Sequence, residues 1–177
     1  ITVKEFITLG TLNVKSFFLP LKKEKLKVKK IIEIVGLEEY TNTRITHLSG
    51  GQRQRAAIGK ALASDADLIL MDEPMVGVDR ESRNSIMKLL DGLCHEMNKT
   101  IVMISHDLTS IKQTVHRMIY LEEKIRFDGP TIDFPGHSEL ARLRGIDTNH
   151  QETDFGRTKF PDNKSIITLV PGKDGEK

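Results

Sequence analysis

The 177 residues include one cysteine, Cys94, and no tryptophan. A single thiol excludes an internal disulfide and suits a reducing compartment. No run approaches the roughly eighteen consecutive apolar residues of a membrane-spanning helix, and Ile1 does not open a signal peptide. The expectation is a soluble, cytoplasmic domain. Charge of either sign is scarcely in excess: the formal net charge of +2 gives no compositional argument for nucleic acid or a membrane surface. His137 and His150 are too sparse to argue for a metal site, and the sequons at Asn98 and Asn163 would matter only in a secreted chain. The absence with the largest consequence is that of GxxxxGK[ST]. Gly59-Lys60 is followed by Ala61 and Gly172-Lys173 by Asp174, and neither pair has the first glycine where a phosphate-binding loop needs it. That loop supplies most of the cradle for β- and γ-phosphates, so this chain alone is expected to hold a nucleotide poorly.

What is present centres on Leu48 to Pro74, LSGGQRQRAAIGKALASDADLILMDEP. Ser49, Gly50 and Gly51 stand where a helix begins, and two glycines let backbone N–H groups approach an anion that the helix dipole favours. Gln52 to Ala63 carries good helix formers, with Ala57, Ile58, Ala61 and Leu62 expected on one face. Asp65 to Asp67 breaks the pattern. Leu68 to Met71 is a continuous apolar run of the kind found in strands covered on both faces. Asp72 and Glu73 then follow the strand's carboxyl end, where open α/β sheets place ligand chemistry.

The same periodicity organises the remainder. Thr2 and Glu5 have capping-box spacing, with Gly10 expected to end a short helix. Pro20 marks a boundary. Val28, Ile31, Ile32 and Val35 form one stripe of a lysine-rich helix that Gly36 terminates; the lysines read as a solvated face, with attraction to anionic lipid as the weaker alternative. Asp79 is a good N-cap for a helix from Arg80 to Met97, whose core face is Ile86, Leu89, Leu90, Leu93 and Met97. Asn98 and Lys99 turn the chain into a strand at Thr100 to Ser105, and Asp107 would cap a helix through Val115. Arg117 to Leu121 and Lys124 to Phe127 read as paired strands closed by Asp128-Gly129-Pro130. Ser138 could cap a short helix, and Thr148 to Lys177 is expected to be extended apart from a strand-like Ser165 to Val170. Ser105-His106-Asp107 cannot be a catalytic triad, because consecutive strand residues point to opposite faces.

LSGGQ, followed after one helix by LILMDEP and then by GVD and ISHD, resembles the nucleotide-binding domain of ATP-binding cassette (ABC) proteins over roughly Ile1 to Pro135. Each motif alone is moderate support; the four in order carry the resemblance. It implies an α/β fold: a partial RecA-like P-loop NTPase parallel sheet flanked by helices, with a helical signature subdomain. The divisions expected are 1–51 (helical subdomain and signature turn), 52–135 (core) and 136–177 (carboxyl-terminal helix and tail). It implies ATP and Mg²⁺ as cofactors and a dimer, since the signature of one subunit closes over the γ-phosphate held by the other. Ser49 would donate its hydroxyl and Gly50 and Gly51 their backbone N–H groups, with Gln52 beside them. Asp72 would hold Mg²⁺ through water, and Glu73 would polarise the attacking water. Asp79 lies in the D-loop, which crosses the dimer interface, and His106 would contact the γ-phosphate and help orient Glu73. Gly59-Lys60 departs from the family's more usual Ala-Arg, and Gly59 should cost its helix about 1 kcal/mol relative to Ala.

The family's P-loop, base-stacking aromatic and glutamine loop would all precede Ile1, so the resemblance leads us to expect an amino-terminal arm. TVKEFITLG, DEPMVGVD and the segment ending RFDGP look most like ATPases of zinc and manganese importers. The implied partners are a second nucleotide-binding subunit and transmembrane permease subunits, with no nucleic acid, on the inner face of the membrane. Two alternatives stand beside this. One is a non-hydrolysing subunit that lends LSGGQ to a partner's ATP site; the other is a soluble ABC ATPase acting on DNA or ribosomes, for which neither long heptad coiled coils nor paired cassettes are seen.

Overall fold

The structure is a computed structural model that describes residues 1–12, 21–105, 115–135 and 165–170. Contacts divide these into two units, one within Ile1–Leu70 and Pro74–Ile101, the other within Met71–Glu73 and Val102–Val170.

The first unit is built on helices. Helix α1 (Val3–Thr8) has the expected capping box: Thr2 Oγ1 accepts the Glu5 N–H at 3.3 Å and Glu5 Oε2 accepts the Thr2 N–H at 2.7 Å. These bonds hold the Glu5 carboxyl below its usual range, the Thr2 N–H contributing most. Gly10 does not stop α1, which runs on as a 3₁₀ turn over Leu9–Thr11. A Cβ at Gly10 would strike the Lys60 carbonyl oxygen and lie 2.9 Å from Ala63 Cβ, so close approach to the neighbouring helix is what requires glycine there.

Helix α2 (Leu21–Ile34) buries Val28, Ile31, Ile32 and Val35 as its stripe predicts. Gly36, at φ +63°, and Leu37 close it with N–H bonds to Glu33 and Ile32 carbonyls. Lys27 is not part of a solvated face, since its Nζ donates to the Ala63 carbonyl at 2.7 Å and to Asp65 at 2.6 Å, stapling α2 to the end of helix α3 (Gly50–Ala63).

On α3 the buried side is Gly51, Ala56, Ile58, Gly59, Leu62 and Ala63, whereas Ala57 is exposed and Ala61 only half-buried. The expected face is therefore rotated, because the small residues on both flanks let α1 and α2 come close. A Cβ on Gly59 would sit 3.0 Å from Ile7 Cδ1 and 3.4 Å from Ile31 Cγ2, so the helix-propensity gain of alanine is offset by crowding.

Helix α4 (Arg80–Met97) has the predicted bounds, and Asn98 at φ +53° ends it. Its buried residues are Ile86, Met87, Leu90, Leu93 and Cys94; Leu89 is half-buried and Met97 exposed, so the core face is turned toward Met87 and Cys94. Burial pushes the Cys94 thiol up to about 11, which leaves it protonated and inert as a nucleophile at neutral pH.

The sheet has strand order β1-β2-β5-β3-β4, with β1 Leu68–Asp72, β2 Thr100–Ser105, β3 Arg117–Leu121, β4 Ile125–Pro130 and β5 Ser165–Val170. Thr100 N–H bonds to the Asp67 carbonyl and Glu73 N–H to that of Ile104, so residue numbers rise together along β1 and β2, the mark of a parallel pair. β3 is antiparallel to both β4 and β5. The three-residue link at 122–124 permits no other sense for β3 and β4. Asp128-Gly129-Pro130 continues β4 rather than closing it, and Asp128 pairs with Arg117 at 2.9 Å. Tyr120, Phe127 and Phe134 meet edge to face beside this hairpin.

β1 alternates exposed and buried residues instead of being covered on both faces: Leu68 and Leu70 are 50% and 71% exposed. It is an edge strand, and among the described residues that face has no cover. No helix among the described residues is long and apolar enough to cross a membrane. The expected helices after Asp107 and Ser138, and the tail apart from β5, lie outside the described residues.

Candidate nucleotide-facing turns and acidic pair

Within the first unit, Ser49 is the N-cap of α3. Its Oγ accepts the Gln52 N–H at 3.2 Å, and Gln52 Oε1 accepts the Ser49 N–H at 2.9 Å. Gln52, which the resemblance places beside the glycines, closes this capping box. Gly50 is half-buried and Gly51 buried. Arg53 holds the turn from behind by donating to the Leu48 carbonyl at 2.7 Å.

Arg55 was not singled out from sequence. Its Nη1 donates to the Val35 carbonyl at 2.8 Å and its Nη2 to Ser85 Oγ, tying the end of α2 and the first turns of α4 to the signature helix. The available signal was an arginine with no acid three or four places away on its own helix.

The turn ahead of α4 lies against this one. Val78 N–H bonds back to the Met75 carbonyl at 3.3 Å, and Gly77 adopts φ +71°. Asp79 caps α4 as expected, its Oδ1 accepting the Ser82 N–H at 2.9 Å. Hydrogen bonds from Ser82, its side chain first, hold the Asp79 carboxyl below the usual carboxylate range. Arg83 Nη2 donates to the Val78 carbonyl at 3.1 Å. Residues 49–52 and 75–82 are thus brought together, Gly50 facing the Gly77 carbonyl and Gly51 facing Ser82.

In the second unit, Asp72 ends β1 with an exposed carboxylate. Glu73 follows in a left-handed conformation, φ +46°, fixed by its N–H bond to the Ile104 carbonyl at 2.9 Å. A non-glycine residue held there is strained and persists because the ladder bond over-determines it. No group of three His, Cys, Asp or Glu side chains that could hold a metal occurs among the described residues. One exposed carboxylate still fits Mg²⁺, which keeps several waters and needs only one or two carboxylates beside phosphate oxygens. His106 lies outside the described residues.

Comparison with known proteins agrees with the motifs. Residues 1–76 match the sequence pattern of the ABC transporter family. A manganese transport system ATP-binding protein of Halalkalibacterium halodurans is 38% identical over 112 residues, covering 63% of this chain and 44% of that protein. A zinc uptake system ATP-binding protein of Listeria monocytogenes is 34% identical over 134 residues, 75% of this chain and 52% of that one. Methionine and thiamine import ATP-binding proteins match at 36%. The chain spans about half the length of the curated manganese and zinc relatives it matches. Among solved structures, an ATP-binding cassette captured as a dimer with ADP and Pi superposes with a TM-score of 0.62 at 28% identity, over 76% of this chain and 58% of that one. The Ser49-capped turn of α3, the Asp-Glu pair ending β1 and the Asp79-capped turn before α4 stand on a fold shared with such cassettes, and the chain belongs to the ABC transporter family.

Proposed function

We propose that these residues supply the signature turn and the Mg²⁺- and water-handling carboxylates of an ATPase subunit that drives an ABC importer. The observation that carries this is the seating of the Ser49-capped turn against the Asp79-capped turn, two motifs that sequence separates by some thirty residues. In this reading Ser49 and the first-turn donors of α3 face the γ-phosphate of ATP bound to a second nucleotide-binding subunit, where the helix dipole favours negative charge. Asp72 holds Mg²⁺ through water and Glu73 accepts a proton from the attacking water, with His106 assisting. Mg²⁺ when bound would neutralise charge on the transferring phosphoryl group. These 177 residues contain no GxxxxGK[ST].

The partner is a membrane permease at the inner face of the membrane, and the cargo is zinc or manganese. The manganese and zinc transport proteins among the relatives support this choice over the methionine importer. ATP-driven uptake into vesicles carrying the subunit and its permease tests it: Zn²⁺ or Mn²⁺ should accumulate and methionine should not. Methionine uptake without either ion would overturn the metal assignment, and uptake indifferent to ATP would overturn the importer.

A further inference from the structure

We infer that Gly50 and Gly51 are positioning residues, kept free of side chains by contacts within their own chain, which fasten the signature turn and the turn before α4 into one body. A Cβ on Gly50 would strike the Gly77 carbonyl oxygen and lie 3.4 Å from its carbon. A Cβ on Gly51 would lie 2.6 Å from Ser82 Cβ and 2.7 Å from Ser82 Oγ. The obstacles are a backbone carbonyl and the root of a side chain, neither of which swings aside as a long side chain can. Backbone conformation does not explain the two glycines, because neither has a positive φ.

Two further bonds make the seating stiff. Asp79 Oδ1 holds the Ser82 N–H, and the Arg83 guanidinium holds the Val78 carbonyl, so residues 78–83 move as a block. Gly77, whose added Cβ would meet nothing within 4 Å, is glycine for its φ of +71° and so aims the carbonyl that Gly50 receives. A displacement of the first turn of α3 therefore passes directly to Asp79. The consequence for ATP rests on the proposed function; the packing does not.

The sign of one substitution separates this from helix propensity. In the first turn of a helix Gly→Ala ordinarily stabilises, whereas the contact with Ser82 demands the reverse. The test is a double-mutant cycle of Gly51→Ala and Ser82→Gly in the 177-residue chain, read by hydrogen exchange at the Ser82 and Arg83 amides, which donate to Asp79. With Ser82 present, Gly51→Ala should speed exchange at both amides by about tenfold, the scale of a one-methyl overpacking, and in the Ser82→Gly background it should not. Equal effects in the two backgrounds, or slower exchange in Gly51→Ala alone, would overturn the packing. Should Gly51→Ala fail to fold, folding of the double variant is the same positive result, and failure of both contradicts the proposal.

A second readout is ATP-dependent association with a P-loop-bearing cassette subunit. Ser82→Gly should restore the association that Gly51→Ala removes; exchange restored without association would leave Gly51 as packing alone and overturn the positioning role. If the native chain shows no such association, the importer reading fails while the exchange cycle still decides the packing.

Discussion

Glu73→Gln is expected to lower ATP hydrolysis by about a hundred- to ten-thousandfold while leaving ATP bound. The amide has the shape of the carboxylate and can occupy the same left-handed position after β1, where the bond to the Ile104 carbonyl fixes the backbone. What it lacks is the capacity to accept the proton of the attacking water. The neighbouring Asp72, exposed at the strand end and proposed to hold Mg²⁺, is left unaltered. Binding and hydrolysis should therefore separate. The measurement is phosphate release, alongside the amount of ATP retained, by a cassette subunit that carries a P-loop together with these residues. Unchanged phosphate release would remove Glu73 from its role.

Ile7→Ala should destabilise the helical unit by about 2–5 kcal/mol, the range for emptying a fully buried aliphatic site. For a chain of this size that is a fall of about 4–20 °C in Tm. Six residues of α1 cannot hold a helix alone in water, so its order comes from packing on α2 and α3. Ile7 is fully buried and abuts Gly59, while Gly10 is drawn against the Lys60 carbonyl. Backbone bonds from Val3 to Thr43 and from Ile45 to Ile1 tie the segment before the signature turn to the same helix. Thermal unfolding checks this, and a Tm equal to that of the native chain would show that α1 is not docked as described.

Much of this was legible because local chemistry decided it. Thr2 and Asp79 each cap the helix their type and spacing predict, Ser49 stands at the start of a helix as expected, and α4 and β2 have their expected bounds. A lone capping box or a stretch of Val, Ile and Met needs no knowledge of distant residues. The misses share the opposite property. Ala57 faces outward, Gly10 and Gly59 are glycines for neighbouring helices, and Lys27 reaches the end of α3, all because of elements far away in sequence. The apolar run at Leu68 to Met71 announced a strand but not which faces are covered, since continuity of apolar residues carries no record of partners. The family was legible earlier than the packing: four motifs in order carried the resemblance, while the seating of Gly50 against Gly77 depends on residues far apart in sequence.

A chain that presents its signature turn to ATP held by another subunit must meet that subunit only when nucleotide is there. Sedimentation of the chain with a P-loop-bearing cassette subunit reads this directly, with and without Mg²⁺ and ATP and with Ser49→Ala as the comparison. The expected result is a complex that forms only with nucleotide and is weakened by Ser49→Ala, which loses both the hydroxyl proposed to face the phosphate and a cap worth about 1 kcal/mol to α3. A complex that forms equally without nucleotide, or none under any condition, would contradict it.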